Sequence, residues 1–469
     1  MNSKNETKVL VLSLLLTIAL LGSGFWLWKR FFGNTSNPPL SGTNPQAASG
    51  STSERISLGE RILVTADTNP DKQAGVQAFA KGDFATAVTK LKSSLLKYRN
   101  DPEALIYLNN SQTDKSKYLK IAVSVPIGSN LDVAKEILRG VAQAQDEVNR
   151  TGGINGKLLQ VAIANDDNDP SLAQQIATQF VKDPNILAVV GHNATNASIA
   201  AAPVYQQGGL VMISPTSFAQ NLSGIGSYIF RTIPGISSVA ERLSNYILKT
   251  ARKTNIAICV DSKAIDNQSF KDELVKDILA AGGKVNAANC DFYAPDFNPS
   301  AVISQLISSG ADSLVLAAHV DRINKALELA AANKGKLTLF ASPTLYTFQT
   351  LQVGKADVNG MVLAVTWHPN AFPGNTFPQN AVKLWGGAVN WRTAMAYDAT
   401  MAIAKGLQNS TTREDLQKTL HSSSFSANGA SGKIEFLPSG DRNGTAILVK
   451  VQPSSNSSTG YDFVPLSDN

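Results

Sequence analysis

The sequence predicts an α/β protein of two doubly wound lobes with a hinge, preceded by a transmembrane helix and a short α-helical hairpin. Three observations carry this. From Tyr118 onward, apolar runs rich in β-branched residues alternate with helical stretches. The alternation comes in two successive sets, parted by Phe230-Arg231-Thr232-Ile233-Pro234-Gly235. Ahead of both stands an uncharged apolar run of 20 residues, Val9 to Trp28.

That run, at about 1.5 Å per residue, spans roughly 30 Å, the thickness of a bilayer core. Lys4 and Lys8 precede it, and Lys29 and Arg30 follow. Phe25, Trp26, Trp28, Phe31 and Phe32 crowd one end, as interfacial aromatic belts do. A cleaved signal peptide would have a shorter core and small residues after it. Here Gly22-Ser23-Gly24 lies inside the run, so we expect an uncleaved anchor over 9–28. A flexible linker is expected over 29–58, because Gly33 to Ser53 is uncharged and rich in Gly, Pro, Ser, Thr and Asn.

Residues 59–116 change character. Ala78, Gly82, Phe84, Ala87, Leu91 and Leu95 are spaced for two packed helices, with Gly82 easing the turn. The segment resembles a single tetratricopeptide repeat, including Ala87 and the helix-starting Pro102. One repeat cannot bury its own apolar face, and arrays need about three. A hairpin that packs on its neighbour, or spaces the main domain, is an equal alternative.

The main domain spans 118–466. Its first set has strands over Lys120–Val125, Leu158–Ala164, Ile186–Val190 and Leu210–Ile213, with helices over Leu131–Asn149 and Thr195–Tyr205. Asp169-Pro170 reads as another helix start. The second set has strands over Asn255–Val260, Lys284–Asn289, Ser313–Ala318 and Leu337–Phe340. Its helices fall over Val239–Thr250, Ser269–Ala281, Pro299–Ser308 and Ile323–Ala332. Continuous apolar strands alternating with helices imply parallel sheets. We expect lobe 1 at about 118–234 and 370–431, and lobe 2 at about 235–369 and 432–466, with crossings near Pro234, Pro369 and Gly432. The tail from Gly432 to Leu466 reads as a hairpin turning at Pro438-Ser439-Gly440-Asp441 on lobe 2. Ligands in such sheets bind beyond the carboxyl ends of the strands, so two facing lobes make a cleft.

Composition narrows the function. The net charge of +6 is small for 469 residues, and basic residues are interleaved with acids. That reads as a solvated surface, with no nucleic acid as partner. Of the two cysteines, Cys259 lies in a strand-like run, Asn255 to Asp261, and Cys290 ends another, Lys284 to Phe292. They pair if those strands are neighbours in an oxidising compartment, or stay buried thiols. No Cys/His cluster, P-loop or nucleophile motif occurs, so no metal, no cofactor and no catalytic residue are expected.

The segments GGING, NDDNDP, VVGHNAT, MISPTS, YIFRTIP and TAMAYDATMAIAKGL occur in this order. In them the chain, from about Lys120 to Val464, resembles the leucine/isoleucine/valine-binding protein family, the amino-acid receptors among type 1 periplasmic binding proteins. The N-terminal additions are similar to those of cyanobacterial chains. The resemblance implies a non-enzymatic, extracytoplasmic solute-binding protein that hands a small polar solute to an ABC permease. It places the bulk of the chain outside a cytoplasmic membrane. The alternative is a membrane-anchored sensor signalling to a protein partner.

The family holds an amino acid by its α-carboxylate and α-ammonium. By position, Thr195 is implied as a hydroxyl donor, and Thr216 and Ser217 as backbone contacts. This sequence departs elsewhere. Phe218 replaces a hydroxyl, His319 stands where a phenol is usual, and Ser342-Pro343-Thr344 lacks the acid that pairs the ammonium. Asp261, Asp266 or Asp321 must replace that acid, or the ligand is an amide, a urea-like compound or a small carboxylate. The expected ligand-binding residues are thus Thr195, Thr216, Ser217, Asp266, His319 and Thr344. His192 is expected to be structural, and His319 a hydrogen-bond partner.

Overall fold

A computed structural model describes residues 52–113 and 117–466. The expected anchor over 9–28 and the linker up to residue 51 lie outside the described residues. Among the described residues no helix is long and apolar enough to cross a membrane.

The chain enters through a 3-10 turn, Thr52–Arg55, and a short strand β1, Ile56–Ser57. These residues, expected in the linker, are ordered because β1 pairs antiparallel with the edge of lobe 1. Three helices follow: α1 (Pro70–Ala80), α2 (Phe84–Lys97) and α3 (Pro102–Ser111). Asn69, Asp83 and Asp101 cap them, each accepting a backbone N–H three residues on. Gly82 turns α1 into α2 at φ 77°. The helical pair is present, but it is not a separate module. Val76, Leu91 and Ala104 to Leu108 share one hydrophobic core with Ile121 and Val141 of lobe 1. Lys72, fully buried, sits 2.8 Å from both Asp101 and Glu103 and ties α1 to α3.

Lobe 1 continues with β2 (Tyr118–Val125), α4 (Leu131–Arg150), β3 (Leu158–Asn165), α5 (Pro170–Lys182), β4 (Ile186–Val190), α6 (Thr195–Gln207), β5 (Val211–Ser214) and β6 (Ile229–Arg231). The sheet order is β1-β3-β2-β4-β5-β6, parallel except for β1. The chain then crosses into lobe 2 through α7 (Ile236–Asn245), which ends in a π turn over Tyr246–Thr250. Lobe 2 is built from β7 (Asn255–Val260), α8 (Ile265–Ala280), β8 (Lys284–Val285), α9 (Pro299–Ser308), β9 (Ser313–Ala317), α10 (Ile323–Asn333), β10 (Thr338–Ala341), α11 (Phe348–Gly354) and β11 (Val362–Val365). The chain returns to lobe 1 for α12 (Phe377–Trp385), α13 (Trp391–Gly406), α14 (Arg413–His421) and the hairpin β12 (Ala427–Gly429) and β13 (Gly432–Ile434). It ends on lobe 2 with β14 (Ile447–Pro453) and β15 (Tyr461–Pro465), giving the order β15-β14-β11-β10-β9-β7-β8.

Three expectations need correction. The strand read over Lys284–Asn289 stops at Val285, because the Asn286 amide bonds Ser309 O and Asn255 Oδ1 while its Oδ1 accepts Ala288 N–H. The third crossing does not begin at Gly432. That residue pairs with Gly429, and buried Arg442 still reaches Asp398 of α13, so the chain leaves lobe 1 after Arg442. The C-terminal hairpin therefore turns between Pro453 and Tyr461 rather than at 438–441. Cys259 and Cys290 form a disulfide across neighbouring segments, since Val260 bridges Asp291.

Candidate functional site

A cavity of about 470 Å³ lies between the lobes at the carboxyl ends of both parallel sheets. Lobe 1 contributes Ser129 and Asn130 after β2, Asp167 and Asn168 after β3, Asn193 to Asn196 after β4, and Thr216 and Phe218 after β5. Lobe 2 contributes Lys263 to Asp266 after β7, His319 to Asp321 after β9, and Pro343 and Thr344 after β10. Trp391 and Arg392, opening α13, complete the wall. A larger concavity of about 650 Å³ lies on lobe 1 between α4 and α12, away from the strand ends. Its acids are already engaged, Asp146 by Arg150 and Glu147 by the Tyr397 hydroxyl, so the interlobe cleft is the candidate site.

Two helices whose N-cap residues offer no side-chain acceptor open at this cleft. Asn69, Asp101, Asn130, Asp169 and Asn298 each cap a helix with a side chain. No side chain caps α6, preceded by Ala194, or α8, preceded by Ala264. The first N–H groups of a helix lack internal partners and carry partial positive charge; at α8 the Asp266 carboxylate meets them, which leaves the α6 end to suit an anionic group.

Five of the six expected residues line the cavity: Thr195, Thr216, Asp266, His319 and Thr344. Thr195 is half-buried as the first residue of α6. The Thr216 hydroxyl donates to Asn193 O at 2.8 Å, which ties two cleft loops together and leaves its oxygen free to accept. Ser217 is the exception. Its Oγ lies 2.6 Å from Ser198 Oγ and 2.9 Å from Ser214 Oγ, fully buried behind the cleft, where it supports the loop. His319 Nδ1 accepts the Asp321 N–H and lies 3.3 Å from its carboxylate, at the open rim.

Of the three acids considered as replacements, Asp261 turns away and caps Lys263 N–H. Asp266 and Asp321 remain in the wall. Burial raises Asp266 above the ordinary carboxylate range; the charge of His319 and backbone N–H groups at the start of α8 oppose this, and Asp261 adds to it. A cation in the cleft would lower that cost.

Trp391 and Arg392 escaped sequence reasoning. The Trp391 ring lies 6.0 Å from Phe218, and the Arg392 guanidinium stacks 4.7 Å from Trp391. Arg392 also pairs with Glu136 at 3.3 Å. The signal available was Asn390, which caps α13 one residue before Trp391. Behind the cleft, His192 Nδ1 lies 2.6 Å from Asp166 and its Nε2 3.0 Å from Tyr205 OH. Burial pushes Asp166 up, but its bonds to His192, Asn168 N–H and Ser124 outweigh this and hold it below the ordinary range. The site is also tied to the hinge. Buried Arg231 donates to Ser217 O and Ala219 O, on either side of Phe218, and pairs at 2.5 Å with Asp441, just ahead of the third crossing.

Two doubly wound lobes, three crossings and a cleft at facing strand ends define the class of hinged, two-lobed binding proteins. The chain belongs to the periplasmic binding protein family, whose model matches residues 119–456. It is 25% identical over 352 residues to the Leu/Ile/Val-binding protein of Escherichia coli K12, covering 73% of this chain and 92% of that one. It is 28% identical over 320 residues to the leucine-specific-binding protein of Salmonella typhimurium, covering 65% and 82%. A Desulfitobacterium hafniense ABC transporter substrate-binding protein solved in complex with Leu superposes with a TM-score of 0.62 at 22% identity, covering 74% of this chain and all 100% of that one. An R. palustris solute-binding protein in complex with benzoate superposes at 0.61 with 14% identity, covering 75% and 98%. The family match begins after α3, so it lends the repeat resemblance of α1 and α2 no support.

Proposed function

We propose that this chain is an extracytoplasmic solute-binding protein that captures a small polar solute in the interlobe cleft by hinge closure, for an ABC importer. The solute class is an amino acid, an amide or a related compound. The observation that carries the reading is the pairing of an uncapped α6 N-terminus on lobe 1 with the partly buried Asp266 on lobe 2, both lining one cavity. The first suits a carboxylate and the second an ammonium. A zwitterion spanning both would draw the lobes together, and its differential affinity for the closed form would set the extent of closure. Thr195, Thr216 and Thr344 would supply hydroxyls, and His319 a further polar partner at the rim. Ser217 contributes through the loop it supports. The disulfide between Cys259 and Cys290 fits an oxidising, extracytoplasmic compartment. Anchoring through the apolar run at 9–28 is part of this proposal.

The sensor reading keeps one observation in its favour. The helices α1 to α3 are built into the core of lobe 1, which would let a partner held by them feel the cleft. A thermal-shift screen of the full-length chain against amino acids, amides, urea and small carboxylates tests the proposal. A solute at a hundred times its dissociation constant stabilises by about 2.7 kcal/mol. Stabilisation by an amino acid supports it, stabilisation only by other solutes means a re-tuned cleft, and no shift with any of them refutes solute capture.

A further inference from the structure

We infer that Arg55, which lies outside the family-matched residues, is a positioning residue of the cleft, so that the segment leading into β1 forms part of the binding site. The inference rests on the cleft being that site. Asp167 and Asn168, both in the cavity wall, hold φ at 52° and 56°. Left-handed backbone disfavours side chains other than glycine, so two such residues in succession need external restraint.

Asn168 finds it within lobe 1. Its N–H donates to Asp166 Oδ1 at 2.9 Å, and its Oδ1 accepts from Asn193 Nδ2 and Ala194 N–H. Asp167 is held from two sides. Its Oδ1 accepts the Gly128 N–H at 2.8 Å, and its Oδ2 pairs with Arg55 at 2.7 Å. Arg55 also donates to Asn165 O at 3.4 Å, the last residue of β3. A Cβ at Gly128 would come within 2.5 Å of Asp167 Oδ1, so the two turns are in direct contact.

Arg55 reaches this point because the next two residues, Ile56 and Ser57, pair with Ala164 and Ile163 on the β3 edge. The Thr52 hydroxyl adds a bond to Gln175 on α5. The guanidinium thereby balances one of the three carboxylates in the cavity wall, Asp167, Asp266 and Asp321. It also fixes the Gly128 turn that leads into Ser129 and Asn130 of the same wall.

The test needs no solute, so it fails or succeeds independently of the functional reading. Amide hydrogen exchange is measured on the full-length chain, wild type and Arg55→Ala. Loss of one half-buried ion pair speeds exchange of the Gly128 amide about fivefold, while segments over β7 and α8 stay unchanged. Raising salt from about 0.05 to 0.5 M speeds the same amide in the wild type and not in the variant. Arg55→Lys, which keeps the charge, restores part of the protection. An unchanged Gly128 rate, a uniform increase across lobe 1, or Lys behaving as Ala would each overturn the inference.

Discussion

Replacing Asp266 with Asn separates its cost to the empty protein from its service to a ligand. The change keeps the side-chain shape and removes the charge. Burial raises this carboxyl above its ordinary value in the empty cleft. A carboxyl raised in the folded state favours folding while protonated, and that contribution is lost as pH rises through the raised value. Above that raised value the empty protein holds an ionised, partly buried carboxylate at a net cost. Asp266→Asn removes the cost, so the melting temperature of the empty protein rises. For an amino acid the same change removes a hydrogen bond between charged groups, about 1.5–3 kcal/mol, or roughly 10- to 150-fold in dissociation constant. Isothermal titration of an amino acid, and of the matching acid without its amine, gives the readout. Wild type discriminates between them, and its affinity for the amino acid falls as pH drops through the Asp266 titration. The variant discriminates little and shows a flatter pH profile. A variant that binds the amino acid as tightly as wild type, or melts lower when empty, would refute the assignment.

Thr195→Ala removes one hydrogen bond to the ligand carboxylate, about 1.5–3 kcal/mol, and weakens binding roughly 10- to 150-fold, with melting of the empty protein nearly unchanged; equal titration curves would count against Thr195 as a contact. His192→Ala leaves buried Asp166 without its main partner and destabilises lobe 1 by about 3–5 kcal/mol, measured by urea denaturation. Reduction of the disulfide, or Cys259→Ser with Cys290→Ser, frees a loop with a sequence separation of 31 residues. Chain entropy sets that loss at about 3–4 kcal/mol, seen as a lower melting temperature.

Much of this architecture was legible because the strands of both lobes are buried on both faces and read as apolar runs. Strand β8 deceived for the same reason: Ala287 and Ala288 extend an apolar pattern that the Asn286 side chain interrupts. The cleft loops after β4 and β5 could be located, but a sequence does not say which way a hydroxyl in a turn points. Ser217 and Thr216 are neighbours, yet one faces a serine cluster and the other the cavity. Trp391 and Arg392 reach the cleft from a helix start far along the chain, where no local pattern marks them. Arg55 follows a Ser- and Gly-rich stretch whose composition says linker, and only pairing with β3 gives it a place. The return to lobe 2 was placed too early because the bond from Arg442 to Asp398 links residues 44 apart.

The shared core of α1 to α3 with lobe 1 makes the two lobes mechanically unequal. In the proposed hinge closure lobe 1 is the stator: the chain arriving at Thr52 is stitched to it by β1 and by Arg55. Lobe 2, the moving arm in that proposal, is joined to lobe 1 by three crossings and carries exposed Phe348 and Val353 on α11. Any force or attachment applied upstream of residue 52 is transmitted to lobe 1 first. The stroke of the proposed hinge would then be read as displacement of lobe 2 relative to lobe 1, by a label on the exposed residues of α11.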